Sequence, residues 1–572
     1  MKTKCSAHME FIDITAIDDA SVTSDSNMSF GNLELFRTKN DAACYGTLEL
    51  NQFMLDGSLS IMDKPSDVGY MSNEISGSDC TFVNTPSISV TFTKPHTSAG
   101  LKLYFVSEYP AAVRITWYTL AGMKIEAKEF YPDALEYFCR HQMENYGKIL
   151  IEFTRTLWPC RYVRLNYIKY GNDIDFDALN ITKAMLTEDI DVTSATLAIN
   201  ECDITILDEH EEFELQNNNG TWKSIQKQQP ITVTENINGR NVPCGTFYMD
   251  KWSSSDNEVT FSLKDAIGVM DETNFYDGKI YIDEPAGDII DEVMKSAGVT
   301  DYKVDRGVRN IRLSGYLAIQ THRAALQQIV FACGAVADSS RGSTIRIYKP
   351  DRYVSHTIGT DRKFSTKVTL DEYVSSVTVT YNRYSLNTDK DEIYNDTLDK
   401  GRTRIEFSSP YKPESVSASA GAIIEEVKTN YIVINMPKKG TCAIMGLGYT
   451  ATETKYRAEV PLIPSGESEN NKDYGGCTLV NAARAKAVAE YILNYLQMRQ
   501  VVNVEFINDG ELVGNWCNIS DRKTRIFTTG ITQQKLNLAG GNISTAVCRG
   551  YETVITDYSY TGEIYAEGDV VI

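Results

Sequence analysis

Several features that would place the chain in a common functional class are missing from its sequence. It has no run of about 18 or more apolar residues, so it predicts no membrane-spanning helix. The segment from Met1 to Glu10 lacks the apolar core of a signal peptide, and we therefore expect synthesis and folding in a cytoplasm. The six histidines are dispersed, and neither an H-E-x-x-H nor a G-x-S-x-G motif is present. We therefore expect no catalytic residues.

Cysteine pairs with metal-ligand spacing are also missing. The 12 cysteines stand singly, without a C-x-x-C pair. Structural zinc sites need close Cys/His pairs, and disulfide scaffolds are short and rich in cysteine. We expect small, buried, reduced side chains, no metal and no cofactor. Asp173, Asp175 and Asp177 lack the Gly and Glu of a calcium loop, so Asn172 to Glu188 is interpreted as a solvated linker between domains.

Positive charge is scarce relative to negative charge. The formal net charge is −21, and a protein that holds nucleic acid by neutralising phosphates carries the opposite balance. An acidic channel would instead let DNA slide past, although a solvated acidic surface explains the charge equally well. At roughly 100–200 residues per domain, the 572 residues predict three to five domains. The hydrophobic fraction of 42% is sufficient for packed cores.

The C-terminal part of the chain combines one long helix with short strands. From Leu479 to Arg499 there is no Gly or Pro, and apolar residues recur at three- and four-residue steps, which predicts one buried helical stripe. The period then changes to two at Val502, Val504 and Phe506, which predicts a strand with one buried face. Turn and strand patterns complete the region: an Asn508-Asp509-Gly510 turn, strands within 512–519, 525–538 and 543–549, and a Gly540-Gly541-Asn542 hairpin turn.

This arrangement resembles the closing segment of the phage baseplate-hub and tail-tip (tail-associated) proteins. The resemblance is carried by Tyr491 to Arg499 at the helix end, Glu511 to Trp516, and Ile531 to Leu538 before the glycine hairpin. An earlier segment, Gly245 to Leu263 followed by Lys264-Asp-Ala266, is similar to the first barrel of that family. The resemblance implies two tail-tube-like β-barrels in one chain.

The N-terminal region predicts a β-sandwich, because short strand patterns alternate with Gly, Pro, Asn and Asp turns and no long helix intervenes. Two stretches, Ser87 to Phe105 and Trp158 to Tyr170, resemble the galactose-binding-like jelly roll of carbohydrate-binding modules. Such sites stack an aromatic ring on a sugar and fix its hydroxyls with polar groups. The glycan-binding candidates are therefore Tyr70, Trp158 and Arg161, with core or rim packing as the alternative.

Helical periodicity also marks the middle of the chain, at Pro285 to Ala297 and at His322 to Cys333. The fold class is therefore mainly β with α+β parts. The expected division is a jelly roll in 1–175, a first tube-like barrel in 187–270, a small α/β domain in 271–350, a β-rich insertion in 351–476, a helix plus second tube-like barrel in 477–560, and a tail in 561–572.

The function implied by the resemblance is a structural hub at the distal end of a phage or phage-like tail tube. Three chains with two barrels each would present six barrels to a sixfold tube, which implies a homotrimer. The implied partners are tail-tube, distal tail and baseplate proteins and a tail spike or tape-measure protein, with DNA passing through unbound and a cell-surface glycan as a further candidate. The implied location is the virion tail tip.

Two alternatives stay open. The first is a glycan-binding surface adhesin, for which the sequence offers neither signal peptide nor anchor. The second is a cell-wall hydrolase, which needs two facing carboxylates or a nucleophile that sequence cannot single out among 77 acidic residues. The chain ends at Ile572, shortly after the second predicted barrel, and we therefore expect that it is not an enzyme.

Overall fold

The computed structural model of the chain describes residues 3–24, 45–46, 49, 61–62, 68–209, 211, 213–214, 217, 222, 225, 227–255, 257–419, 421–521 and 525–553. Strands hold 54% of the residues and helices 12%, which confirms a mainly β fold. The longest helix within these ranges has 15 residues. None of the helices there is long and apolar enough to cross a bilayer.

The elements follow one another in three stretches of chain. The first contains β1 (Thr3–Ile12), α1 (Ile14–Asp19), β2 (Ser21–Ser24), β3 (Tyr45–Gly46), β4 (Ile61–Met62), β5 (Tyr70–Met71), β6 (Ser87–Phe105), β7 (Pro110–Tyr118), β8 (Lys124–Phe130), β9 (Glu136–Thr156), β10 (Arg164–Lys169), β11 (Gly171–Phe176) and β12 (Ile181–Asp189). The second contains β13 (Glu201–Leu207), β14 (Pro230–Ile237), β15 (Arg240–Ser255), β16 (Glu258–Lys264), α2 (Ala266–Val269), β17 (Asn274–Phe275), β18 (Ile280–Pro285), α3 (Ala286–Ala297), β19 (Tyr302–Val304), α4 (Arg306–Arg309), β20 (Arg312–Tyr316), β21 (Gln320–Thr321), α5 (His322–Cys333), β22 (Val336–Asp338) and β23 (Ile345–Tyr348). The third contains β24 (Val354–Ile358), β25 (Lys363–Leu370), β26 (Ser376–Leu386), β27 (Asp391–Leu398), β28 (Gly401–Glu406), β29 (Ser417–Ala418), β30 (Ile423–Val427), β31 (Tyr431–Met436), β32 (Gly440–Gly446), β33 (Tyr449–Glu459), β34 (Asn471–Tyr474), α6 (Ala482–Leu496), β35 (Gln500–Ile507), β36 (Trp516–Ser520), β37 (Ile526–Asn537) and β38 (Ile543–Thr553).

A 13-stranded sheet dominates the fold. Its first half has the strand order β11-β1-β14-β15-β16-β13-β12, and its second half has the order β24-β36-β37-β38-β35-β25. The halves are joined by antiparallel pairing of β12 with β37, in which Met185 faces Asn537 and Asp189 faces Gln533. Each half has its own core. The ring centroids of Phe176 on β11 and Phe261 on β16 are 6.2 Å apart, although β1, β14 and β15 separate these two strands in the sheet. The first half of the sheet is therefore strongly curved.

Neither half closes into a separate barrel within the described residues, which corrects the expectation of two barrels. A barrel would close at a seam where β11 paired with β12 in the first half, or β24 with β25 in the second. The two strands at each seam are consecutive in the chain, and neither pairing occurs among the described residues. In the first half, β13 lies along one edge of β12, and β37 occupies the other edge from Met185 to Asp189. The sequence pattern shows alternation within each strand but not which edges meet.

The segment predicted as a linker, Asn172 to Glu188, forms β11 and β12 instead. Its aspartates alternate with Ile174 and Phe176, and this is the two-residue period of a strand with one buried face. β1 also belongs to the large sheet, because it pairs with both β11 and β14. The N-terminal unit is therefore inserted between two neighbouring strands of the large sheet.

The inserted unit is a seven-stranded sheet with the order β5-β10-β6-β9-β7-β8, and β2 adds to β6. The register of β6 against β9 shifts around His96 and Ser98, so these two long strands bend. The sheet wraps a core that contains Trp117, Tyr146 and Phe153. A β-rich unit was expected here, and its assignment as a jelly roll stays a prediction.

All three predicted helices are present. Asn481 caps the N-terminus of α6 by accepting a hydrogen bond from the Arg484 amide, and α3 and α5 end at Gly298 and Gly334 in the left-handed conformation. α6 packs in one core with α3, α5 and β26 rather than with the second half of the sheet. The insertion after β25 forms three small sheets. The sheet of β33, β26 and β34 contributes to the core around α6, and the other two sheets have a core of their own.

The inserted unit should fold alone when the chain is cut at the two points where it passes between this unit and the large sheet. We expect residues 13–170 to give a dispersed amide spectrum and one cooperative thermal transition, because their core is complete without the large sheet. A fragment of residues 1–170 carries β1 as an unpaired strand, and we expect it to aggregate more readily. Broad, collapsed resonances from residues 13–170 would contradict an independent unit.

Candidate assembly site in the large sheet

The junction between the two halves of the sheet has one polar and one apolar face. Ala184 and Leu186 of β12 and Leu536 of β37 are buried on the core side. On the other face, Asp189 accepts a hydrogen bond from the Gln533 amide nitrogen at 3.1 Å, and Thr187 lies opposite Lys535. The outer face at the junction therefore carries both signs of charge, together with the Met185 side chain, which is 40% exposed.

Below this junction a charged cluster is buried inside the first half. Glu188 of β12 has no exposed side-chain surface, and its Oε1 accepts a hydrogen bond from Arg341 Nε at 2.7 Å. Glu235 of β14 is also buried, opposite Cys5 in the adjacent strand. Arg341 comes from the loop after β22, outside the sheet, with φ of 58°. It therefore ties the α/β domain to the interior of the first half.

The carboxyl groups of this cluster resist ionisation. Burial raises the pKa of Glu235 to about 7, and the charge of Arg341 opposes that rise. Burial likewise raises the pKa of Glu188, against the opposing effect of Arg341. Asp265, in the Asp-Ala start of the segment after β16, caps α2 and accepts a hydrogen bond from the Ser339 hydroxyl at 2.6 Å. Burial raises the pKa of Asp265 to about 6, so the contact between the first half and the α/β domain is rich in buried acids.

The second half contains an equivalent pair. The Glu511 carboxylate is fully buried, and Arg362, from the loop between β24 and β25, donates a hydrogen bond to it. Arg362 also donates to the Ile507 carbonyl at 3.2 Å, and Asp509 N donates to Glu511 Oε2 at 2.8 Å. Each half thus contains a buried glutamate that is neutralised by an arginine from a loop. An acid at a core-facing position, as at Glu188 after Ala184 and Leu186, was the sequence signal that could have revealed the first pair.

One terminal strand of the sheet is apolar and exposed. β25 has a single described strand neighbour, β35. Phe364, Val368 and Leu370 on this strand are 50%, 40% and 64% exposed. A terminal strand with apolar side chains is a surface that soluble proteins usually cover. β25 is therefore a candidate contact for another protein chain.

The three glycan-binding candidates are placed differently from one another. Tyr70 is fully buried and stacks on Phe153 with centroids 5.7 Å apart, so its ring is part of the core. Trp158 is 57% exposed in the loop after β9. Arg161 is largely buried, and its Nε lies 3.1 Å from Glu108 Oε2. Of the three, Trp158 alone presents a ring to solvent in this structure.

A cleft of about 540 Å³ lies between the α/β domain and the insertion. Four of its charged groups form two pairs, Lys279 with Glu292 at 2.6 Å and Lys428 with Asp277 at 3.6 Å, and Lys295 also lines the cleft. Paired charges of this kind are typical of a contact between domains rather than of an acid–base pair. Across the part of the chain that the structure describes, no group of three or more His, Cys, Asp or Glu could hold a metal ion.

Solved structures of tail proteins are similar to the chain. A 43 kDa tail protein of prophage MuSo2 from Shewanella oneidensis is 12% identical, with a TM-score of 0.38 over 66% of this chain and 95% of its own. A tail protein from Neisseria meningitidis MC58 is 10% identical, with a TM-score of 0.40 over 65% and 92% of the two chains. An Escherichia coli component of the type VI secretion system, itself structurally similar to T4 bacteriophage tail proteins, is 8% identical, with a TM-score of 0.32 over 66% and 76%. No family model and no curated protein sequence matches the chain.

Replacing Arg341 tests the buried cluster. We expect Arg341→Met to lower the free energy of unfolding by about 3–5 kcal/mol, because Glu188 and Glu235 would remain buried without their cation. The measurement is chemical denaturation at neutral pH. Arg402→Met is the matched control, because Arg402 pairs with Glu425 at the surface and its loss should cost no more than about 1 kcal/mol. Equal effects of the two variants would contradict a buried cluster.

Glu235 gives a prediction for pH dependence. Its pKa is raised from 4.5 to about 7, so the folded state holds a proton that the unfolded state has lost. The resulting stability is present below pH 4.5 and disappears as the pH rises to about 7. Relative to the wild-type chain, Glu235→Gln should therefore gain up to about 3 kcal/mol in unfolding free energy across this interval. Urea denaturation at a series of pH values measures the difference.

The control for this prediction is Glu201→Gln, because Glu201 is exposed on β13 of the same sheet. Urea denaturation of this variant over the same pH series is the reference. A pH-independent difference between Glu235→Gln and the wild-type chain would show that the Glu235 carboxyl has the same pKa in the folded and unfolded states.

Proposed function

We propose that the chain is a structural hub at the distal end of a phage or phage-like tail tube. In this role it acts as a trimeric symmetry adaptor that closes the tube and joins it to baseplate or tip proteins. The observation that carries the proposal is the junction of β12 with β37, which sets two strand groups side by side in one sheet. Three such chains would place six strand groups around one axis.

The two halves are alike enough to act as quasi-equivalent units. Each has a seam between strands that are consecutive in the chain, β11 with β12 and β24 with β25. Each contains a long hairpin, β15 with β16 and β37 with β38. Each buries one glutamate against an arginine that enters from a loop, Glu188 with Arg341 and Glu511 with Arg362. These shared features support the proposal that the two halves repeat one overall shape rather than one set of reactive groups.

The polar face of the junction is the candidate wall of the channel. It contains the partly exposed Asp189 and Gln533 and the exposed Lys535, so both signs of charge occur there and neither dominates. A wall of this kind, on a chain with net charge −21, would not hold phosphates. We infer that DNA or a tape-measure protein passes along it without specific binding. A tail-tube protein on one side and baseplate or tail-spike proteins on the other are the proposed partners at the tail tip.

The inserted N-terminal unit is proposed to dock a neighbouring protein or to bind a cell-surface glycan. The exposed ring of Trp158 is the observation that favours a glycan site, because an aromatic face packs on the apolar side of a sugar ring. If the chain does not assemble, a glycan-binding adhesin becomes the leading alternative. A cell-wall hydrolase gains no comparable support from any described residue.

Molar mass in solution tests the proposed trimer. We expect a homotrimer by light scattering, and we expect Val368→Lys combined with Leu370→Lys to give a folded monomer, because charge on β25 prevents a second copy from covering it. The control is Leu462→Lys, since Leu462 is 81% exposed in a loop and should leave the trimer intact. A wild-type monomer at micromolar concentration would contradict the hub.

A further inference from the structure

Two of the cysteines differ from the rest. Of the 11 cysteines that the structure describes, all with free thiols, nine are buried, as the sequence predicted. Cys80 and Cys160 are partly exposed. Both lie in the inserted N-terminal unit, one in the loop before β6 and the other in the loop after β9.

The backbone amides of these two cysteines share one hydrogen-bond acceptor. The amide nitrogens of Cys80 and Cys160 lie 3.0 and 3.4 Å from the Gly77 carbonyl oxygen. The two amide nitrogens are therefore no more than 6.4 Å apart. Two further backbone hydrogen bonds connect the loops: Thr156 N donates to the Cys80 carbonyl at 3.0 Å, and Ser76 N donates to the Arg161 carbonyl at 3.0 Å. A disulfide requires a Cα–Cα separation of roughly 4.4–6.8 Å, and the shared acceptor brings the two backbones close enough for such a bond to be tested.

Cys80 and Cys160 also differ from the other described cysteines in backbone conformation. Cys80 has φ of 67° and Cys160 has φ of 53°, and no other described cysteine has positive φ. This left-handed region favours Gly and Asn, which avoid or offset the steric cost at Cβ. A cysteine is therefore a costly residue at either position if the backbone alone is considered. The two cysteines thus share a backbone conformation as well as a hydrogen-bond acceptor.

We propose that Cys80 and Cys160 form a reversible disulfide that staples the two loops beside Trp158. The oxidant is a small-molecule disulfide such as oxidised glutathione. The thiolate of one cysteine attacks the glutathione disulfide and releases one glutathione, which leaves a mixed disulfide on the protein. The second cysteine thiolate attacks that protein sulfur and releases the other glutathione. Two protein thiols are oxidised, one glutathione disulfide is reduced, and the two thiol protons pass to the two glutathiones.

Whether the disulfide forms depends on the redox state of the compartment that contains the chain. In a reducing cytoplasm both thiols stay free, and in an oxidising exterior they pair. The bond would close the long loop of chain between the two cysteines, which restricts the unfolded state and stabilises the folded one. The bond would restrain the loop that holds Trp158, because the Thr156 hydroxyl lies within hydrogen-bond distance of both the Trp158 and Cys80 carbonyl oxygens, at 2.8 and 3.3 Å. The proposal does not depend on the assembly role.

Thiol mapping tests the pair in the full-length chain. The background variant is Cys44→Ser, because Cys44 lies outside the described residues and its thiol could compete. The reduced protein is incubated with oxidised glutathione, unfolded with a blocking reagent present and digested for mass spectrometry. We expect one linked peptide pair, Cys80 with Cys160, no retained glutathione, and full blocking of the nine buried thiols. Retained glutathione on both cysteines, an absence of reaction, or a link to a third cysteine would overturn the proposal.

Single variants supply the matched controls. In Cys160→Ser the second attack is impossible, so Cys80 should keep one glutathione, and Cys80→Ser should keep it on Cys160. Oxidation of the Cys44→Ser background should lower the unfolding equilibrium constant of the N-terminal unit by roughly tenfold or more, and it should leave both single variants unchanged. If a single variant fails to fold, the peptide map of the background protein still decides the question. An equal stability gain in background and variants would show that oxidation acts elsewhere.

Discussion

The large sheet depends on one strand, β37, that serves three neighbours. β38 pairs along its whole length on one side, while its other side is shared between β36, over Ile526 to Gly530, and β12, over Gln533 to Asn537. A strand has only two edges, so β12 can reach β37 only where β36 has ended. Because β12 uses its second edge in this way, it cannot also close the first half against β11. The same pairing therefore opens the first half and joins it to the second.

Each half of the sheet contains a buried ion pair that fixes a loop, and in the first half this loop comes from outside the sheet. Glu188 and Glu511 are fully buried, and each would be costly as an isolated charge. Arg341 enters from the α/β domain and Arg362 from the loop between β24 and β25, so in each case neutralisation requires that a loop is correctly placed. Such pairs add little net stability compared with apolar packing, but they penalise any arrangement in which the loop is displaced. The arrangement of sheet and loops is thereby specified.

Local features of this fold could be predicted from the sequence, and its long-range pairings could not. The bounds of α3, α5 and α6 follow from apolar spacing and from caps at Asn481, Gly298 and Gly334, all of which act within a few residues. The hairpin between β37 and β38 follows likewise from Gly540 and Gly541. The pairing of β12 with β37 joins segments that are far apart in the chain, and alternation predicts a face but not a partner. For the same reason, alternation could not decide whether Tyr70 is a glycan contact or part of the core, and the segment around Asp175, predicted as a linker, forms two strands.

The inserted N-terminal unit is fixed to the sheet at the point where the chain crosses between them. Asp13 follows β1 and Tyr170 precedes β11, and the Asp13 amide donates to the Tyr170 carbonyl at 2.9 Å. Asp13 and Asp19 flank α1 and face the two ring nitrogens of the buried His96 at 3.0 and 2.9 Å. This hydrogen-bonded network holds α1 against β6 beside the point where the chain enters and leaves the inserted unit. The inserted unit and the large sheet are therefore joined by two adjacent chain segments, which meet through the hydrogen bond between Asp13 and Tyr170.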